Sequence, residues 1–201
     1  MNPMVAAQLL QFEKLLFDLK IKSLDYLKPG ITGDLIGSEI GEIYPLIGSN
    51  VIINDLYSWH NGTITNYTQG TETFKITPRF FFNSINSIKE IVGGADSVLE
   101  FKLRNQIPLF STGHGEYLSV NVSQLSSDPQ NAGLFYVSTW NPEFEFYTLM
   151  FDNVFTFLET TIECLENGAY YKNEDGVLEL DFDKEYEIAT RLNKKATYWR
   201  D

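Results

Sequence analysis

Cysteine and histidine are scarce in this chain of 201 residues, which contains one cysteine, Cys164, and two histidines, His60 and His114. A single cysteine excludes an intramolecular disulfide and favours a reducing compartment. A zinc site needs three or four ligands, and no paired-cysteine or His-Glu-x-x-His pattern would supply them. We therefore expect no metal, and we interpret both histidines as ordinary helix-end and turn residues. Acids next to Cys164 in its predicted helix raise the pKa of the thiol and disfavour a nucleophilic role.

Long apolar runs and phosphate-binding loops are also missing. No stretch approaches the roughly 20 apolar residues that span a bilayer. The first residues lack the basic and apolar regions of a signal peptide, so the sequence predicts a cytoplasmic protein with no membrane partner. Neither Gly93-Gly94 nor Gly113-His114-Gly115 matches a Walker loop or a dinucleotide fingerprint, and we expect no cofactor.

Basic residues are few, and the acidic ones are unevenly placed. Lysine and arginine number 15 against 27 acids, which gives a net charge of −12. Residues 141–187 hold thirteen of the acids and two lysines, and so carry −11 of that charge. Such a field repels nucleic acid and favours a protein partner with a basic surface, although solubility alone also explains it.

The apolar pattern predicts helices and strands of one domain over residues 1–201. Helical spacing predicts helices over about residues 5–20, 51–59, 151–165 and 183–193. Strand-like segments cover about residues 105–110, 116–122, 134–139 and 143–149. Residues 61–73 are interpreted as a loop and residues 126–131 as a turn. Because the strands cluster between helices, the order favours an α+β fold with a mostly antiparallel central sheet flanked by helices.

Two short segments carry the most specific signal. The first runs from the end of a predicted helix into an Asn-Gly dipeptide and reads Leu56-Tyr57-Ser58-Trp59-His60-Asn61-Gly62. The second is a strand, a glycine turn and a strand, and reads Pro108-Leu109, Gly113-His114-Gly115 and Tyr117-Leu118. Asn-Gly lets a chain leave a helix with positive φ, so both segments favour a structural role.

In this order, the two segments resemble the SUKH superfamily, which includes Smi/Knr-type cell-wall regulators of fungi and many bacterial immunity proteins. The resemblance covers residues 36–165 and leaves an acidic C-terminal extension outside it. It includes the strand at Leu134-Phe135-Tyr136-Val137 and the Phe-rich helix after Phe151. It implies a binding scaffold without catalytic residues. The structural motif it implies consists of Trp59, Asn61, Gly62, Pro108, Gly113, Gly115 and Tyr117.

Three functions are compatible with these observations. The resemblance and the acidic segment favour an immunity protein that neutralises a cognate toxin, such as a nuclease, by stoichiometric binding. The alternatives are a regulatory scaffold for endogenous partners and a small hydrolase that uses His60 or His114. The candidate partner-binding residues are Trp140, Glu143, Glu145, Glu159 and Glu163, and Tyr170-Tyr171 is a further candidate anchor. Chance acid pairs on solvated faces are the simpler explanation of the glutamates.

Overall fold

The computed structural model describes residues 2–45, 47, 50–64, 72–94, 101–102, 104–138 and 147–200. Within them it shows a mixed α+β fold with seven α-helices and a five-stranded antiparallel sheet, which confirms the predicted fold class. Two further sheets have two strands each.

The elements follow one another in a mixed order along the chain. The helices are α1 Pro3–Asp18, α2 Gly33–Gly41, α3 Val51–Trp59, α4 Ile85–Gly93, α5 Val122–Ser127, α6 Val154–Glu166 and α7 Phe182–Leu192. The strands are β1 Leu27–Pro29, β2 His60–Thr63, β3 Phe81–Phe82, β4 Gln106–Ser111, β5 Glu116–Asn121, β6 Leu134–Ser138, β7 Thr148–Phe151, β8 Tyr170–Lys172 and β9 Leu178–Leu180.

The central sheet has the simple order β3-β4-β5-β6-β7. Helix α6 covers one of its faces, where the Phe157 ring lies 4.8 Å from the Phe110 ring and 5.1 Å from the Phe151 ring. A capping box between Asn153 and Thr156 fixes the start of α6, because each side chain bonds the other residue's backbone N–H. Helix α1 packs along α6 and contributes buried apolar residues to the same core.

The C-terminal segment belongs to this core. Strands β8 and β9 form a hairpin, and α7 packs against α6. The Trp199 side chain is 3% exposed, and its indole N–H donates to the Met150 carbonyl in β7. Residues 197 and 198 also donate their N–H groups to the Leu149 carbonyl. The acidic stretch is therefore tied to the sheet by buried aromatic contacts and backbone hydrogen bonds.

Local predictions were partly wrong at two places. Residues 60–63, assigned mostly to a loop, form β2 and pair with β1. The predicted turn at 126–131 overlaps α5, which Asn121 caps by accepting from the N–H groups of Ser123 and Gln124. In both places, tertiary pairing or a side-chain cap outweighs the turn-forming composition.

None of the helices within the described residues is both long enough and apolar enough to cross a bilayer.

Candidate functional site

The β4–β5 turn separates two clefts at one end of the central sheet. Side chains alternate along a strand, so neighbouring residues of the hairpin face opposite sides. Ser111, Gly113, Gly115 and Tyr117 line one cleft, which we call the Asn83 pocket. Thr112, His114 and Glu116 line the other, which we call the Arg79 cleft.

The turn between the clefts has the geometry that its sequence predicts. Gly113 has φ +87° and Gly115 has φ +83°, a region that favours glycine. The Ser111 and Thr112 hydroxyls accept from the N–H groups two residues later. The Thr112 N–H donates to the Glu116 carbonyl over 3.0 Å and closes the turn.

A buried ion pair forms the base of the Arg79 cleft. The Arg79 guanidinium donates to both carboxylate oxygens of Glu185 over 2.5–3.0 Å. Glu185 is 1% exposed and also accepts from the Tyr170 hydroxyl over 2.7 Å. The Arg79 guanidinium lies 5.5 Å from the centre of the Phe182 ring and 5.7 Å from that of Trp199. Through these contacts, Arg79 holds α7 in place.

The loop before β3 presents Arg79 to this cluster. The Thr77 hydroxyl accepts from the N–H groups of Arg79 and Phe80, and the turn includes Pro78. Burial lowers the pKa of Arg79, but the hydrogen bonds and charge of Glu185 more than offset this, so the pKa is raised overall. Arg79 therefore stays charged, and Glu185 balances that charge.

Both polar and apolar side chains line the rest of the Arg79 cleft, and the apolar ones include Phe80, Leu180 and Phe182. The volume of the cleft is about 220 Å³, and Lys75, His114, Glu116 and Tyr136 contribute to its lining. Burial, followed by the hydrogen bond and charge of Glu116, raises the pKa of the Tyr136 hydroxyl. Tyr136 is therefore a neutral phenol at physiological pH.

A second candidate surface lies on the outside of the β8–β9 hairpin and α7. Phe182 and Tyr186 are one helical turn apart and 67% and 46% exposed, and Tyr171 on β8 is 44% exposed. Exposed acids and two exposed lysines alternate with these rings along the two elements. We call this surface the C-terminal patch, and its exposed residues are Tyr171, Lys172, Glu179, Phe182, Asp183, Lys184, Tyr186 and Glu187.

The hairpin and the helix of the C-terminal patch lie close to each other. Tyr171 is directly opposite Glu179 in the β8–β9 register. Partial desolvation, then the Glu179 carboxylate, then the Asp181 charge raise the pKa of the Tyr171 hydroxyl. Asp181 caps α7 by accepting from the Lys184 N–H. Exposed aromatic rings with charged side chains around them are typical of protein-binding surfaces.

Two of the predicted partner-binding residues, Glu159 and Glu163, lie one turn apart on α6. Glu159 is exposed. Glu163 forms an ion pair with Arg191 of α7, and its side chain is 28% exposed. The charge of Glu163 is therefore partly neutralised by an ion pair that joins α6 to α7. Of the predicted tyrosine pair, Tyr171 is exposed, whereas Tyr170 is buried against Glu185.

Trp140, Glu143 and Glu145 lie outside the described residues. The described chain stops at Ser138, which pairs with Glu116 beside the glycine turn, and resumes at Tyr147 before β7.

The Asn61-Gly62 motif has a precise structural role. Gly62 has φ +74°, and a Cβ atom there would lie 2.2 Å from the Ser84 backbone nitrogen. The Asn61 side-chain oxygen accepts from the Ile85 N–H over 3.2 Å, at the first residue of α4. The motif therefore seats β2 against the start of α4. This second contact was not predicted from the sequence.

Other motif residues are also engaged in the fold. The Trp59 indole N–H donates to Glu13 over 2.7 Å, and Trp59 packs edge-on against His60. Pro108 lies in β4 opposite Ser119, and its carbonyl accepts from the Asn83 side chain over 2.9 Å.

The two histidines have different surroundings. His60 Nδ1 lies 2.9 Å from the Lys28 carbonyl oxygen and therefore carries a hydrogen. His60 Nε2 lies 3.5 Å from a Glu13 carboxylate oxygen, an ion-pair distance rather than a hydrogen bond. His114 lines the Arg79 cleft with Glu116. Among the described residues, no three His, Cys, Asp or Glu side chains are grouped to hold a metal ion.

Cys164 is fully buried in α6. Burial, followed by the charges of Glu185 and Glu163, raises the pKa of its thiol to about 12. The predicted effect of neighbouring acids on this pKa is confirmed, although burial is the larger cause.

Sequence reasoning missed Arg79, Glu185 and Asn83. Arg79 and Glu185 are 106 residues apart, and no local pattern relates them. The exposure of Phe182 and Tyr186 could have been predicted from the sequence, because the two rings lie at i and i+4 on a helix rich in charged residues.

The chain matches no protein-family model, and no curated protein has significant sequence similarity to it.

Proposed function

We propose that this protein acts by binding another protein and that the C-terminal patch makes the contact. The observation that carries this proposal is the exposure of Phe182, Tyr186 and Tyr171 among acidic side chains. Exposing large rings to water is unfavourable, and covering them on binding recovers that free energy. The surrounding acids select a partner of positive charge.

Electrostatics supports a basic protein as the partner. Residues 141–187 carry −11 of the net charge of −12, and α7 contributes several of those acids. Charge of one sign on one surface speeds encounter with an oppositely charged surface. The same charge repels phosphates, so nucleic acid is not the proposed ligand.

The most specific form of the proposal is an immunity protein that neutralises a cognate toxin in the cytoplasm. A toxin that acts on nucleic acid presents lysines and arginines where its substrate lies, and an acidic surface that covers them blocks access. The resemblance of the Asn61-Gly62 and Gly113–Gly115 motifs to the SUKH superfamily supports this form. The protein then needs no catalytic group, because stoichiometric cover is sufficient.

Coexpression with the protein encoded by the adjacent reading frame tests this proposal. We expect the chain to restore growth to cells that express that partner and to co-purify with it. Failure of both would contradict the immunity role. Co-purification with cellular enzymes, and no rescue of growth, would favour the regulatory scaffold.

A matched pair of variants assigns the contact to the C-terminal patch. We expect Tyr186→Ala to weaken the affinity for the partner by about tenfold or more, since a central aromatic anchor dominates such interfaces. Phe17→Ala is the control, because Phe17 is 72% exposed but lies on α1. Equal affinities of the two variants, measured by calorimetry, would place the contact elsewhere.

A further inference from the structure

The Asn83 side chain has one buried acceptor without a partner. Asn83 is 1% exposed, its N–H donates to the Leu109 carbonyl, and its carbonyl accepts from the Tyr57 hydroxyl. Its Nδ2 donates to the Pro108 carbonyl over 2.9 Å. Within the described part of the chain, Oδ1 has no hydrogen-bond partner.

The amide orientation follows from the Pro108 contact. A carbonyl oxygen accepts and cannot donate, so the atom of Asn83 that faces it is the nitrogen. The other atom is therefore the oxygen. A buried oxygen without a donor is unfavourable, and a ligand that supplies an N–H group removes this penalty.

This oxygen belongs to a residue that lines an open cavity, the Asn83 pocket. The cavity has a volume of about 160 Å³, and the aromatic residues Phe81 and Tyr117 and the apolar Ile91 contribute to its lining. Glu90 of α4 also lines it and is exposed to solvent. The pocket thus combines a buried acceptor, apolar walls and a carboxylate on its solvent side.

We propose that the Asn83 pocket binds a guanidinium group. A guanidinium is planar, carries five N–H donors and stacks on aromatic faces. It can donate to the Asn83 amide oxygen and the Glu90 carboxylate while its flat face lies against Tyr117, whereas an ammonium group also donates but has no flat face to stack. A bare anion has no donor for Oδ1, and Glu90 repels it. The group comes either from a free alkylguanidine or from an arginine side chain of a partner protein.

This inference does not depend on the C-terminal patch. The pocket lies between α4 and the β4–β5 turn, and none of its lining residues belongs to β8, β9 or α7. Guanidinium binding in the Asn83 pocket can therefore be tested independently of the proposed immunity role.

Nuclear magnetic resonance provides the direct test, since the Asn83 side-chain amide gives its own ¹⁵N signal. The probes are butylguanidine, a free alkylguanidine with no second charge, and the capped peptide acetyl-Gly-Arg-Gly-amide. We expect saturable shifts of the Asn83 signal with a Kd on the order of 1 mM, as befits a small ligand in a shallow site. Binding of butylguanidine alone identifies a free guanidine as the ligand, and binding of the peptide identifies an arginine side chain.

Charge variants and a neutral probe complete the test. Glu90→Gln should weaken binding by about two- to fivefold, as the loss of one exposed charge predicts. Glu174→Gln makes the same change in the exposed β8–β9 turn and should leave the affinity unchanged. Butylurea, which is planar but uncharged, should bind more weakly than butylguanidine. No shift of the Asn83 signal with either guanidinium probe, or equal affinity in Glu90→Gln and the parent protein, would overturn the proposal.

Discussion

At the scale of single residues, Asn61 and Gly62 link elements that are distant in sequence. Asn61 follows α3 in sequence and accepts from the first N–H of α4, and Gly62 allows the backbones of β2 and residues 83–84 to touch. The sequence predicted the positive φ of Gly62, which is confirmed. It did not reveal that the motif joins α3, β2 and α4.

A pair of alanine substitutions separates backbone strain from steric contact. Gly168 also has positive φ, +67°, but nothing lies within 4 Å of its added Cβ. We expect Gly168→Ala to lower the free energy of unfolding by about 1–2 kcal/mol. Gly62→Ala should cost a further 1–3 kcal/mol or so, because Ser84 must move. Urea denaturation measures both, and equal losses would contradict the close contact at Gly62.

At the scale of elements, the attachment of α7 depends on a buried charge. Glu185 faces the core, whereas Glu187 of the same helix points to solvent. Breaking a buried ion pair by neutralising one partner leaves the other charge unpaired, here that of Arg79. The stability of this helix is therefore coupled to the loop that carries Arg79.

We expect Glu185→Gln to lower the free energy of unfolding by about 3 kcal/mol. Glu187→Gln removes the same charge from the surface, and its effect should stay within about 0.5 kcal/mol. Thermal or urea denaturation compares the two variants. If both change stability equally, the Arg79–Glu185 pair does not hold α7 to the domain.

Element prediction from the sequence succeeded where caps and periodicity agreed. The helix over 51–59 was predicted with its bounds, and the structure shows that Asn50 caps it by accepting from the N–H groups of Ile52 and Ile53. Strands β8 and β1 were not predicted, because three-residue strands carry no periodic signal. The Asn83 pocket could not be predicted, since its lining comes from three separate segments of the chain.

At the scale of the whole molecule, the region of residues 141–187 is less negative than its own charge of −11, because arginines from outside it pair with two of its acids. Ion pairs with Arg79 and Arg191 offset the charges of Glu185 and Glu163. The unequal placement of acids nevertheless remains, since Asp183 and Glu187 are exposed in the C-terminal patch beside aromatic rings. The composition predicts a partner of positive charge, whereas only the structure shows which acids face outward.

We propose that an exposed acidic and aromatic surface of this protein binds a basic protein. The most direct measurement is the association rate with the protein of the adjacent reading frame, followed by stopped flow at increasing salt. We expect the association rate to fall as salt screens the charges. At low salt, the double variant Asp183→Asn/Glu187→Gln should associate more slowly than the parent protein. The control is Asp34→Asn/Asp128→Asn, which removes two exposed acids from other elements and should keep the parent rate. The absence of a complex would contradict this proposal. So would an association rate that does not depend on salt and is the same for the parent protein and both double variants.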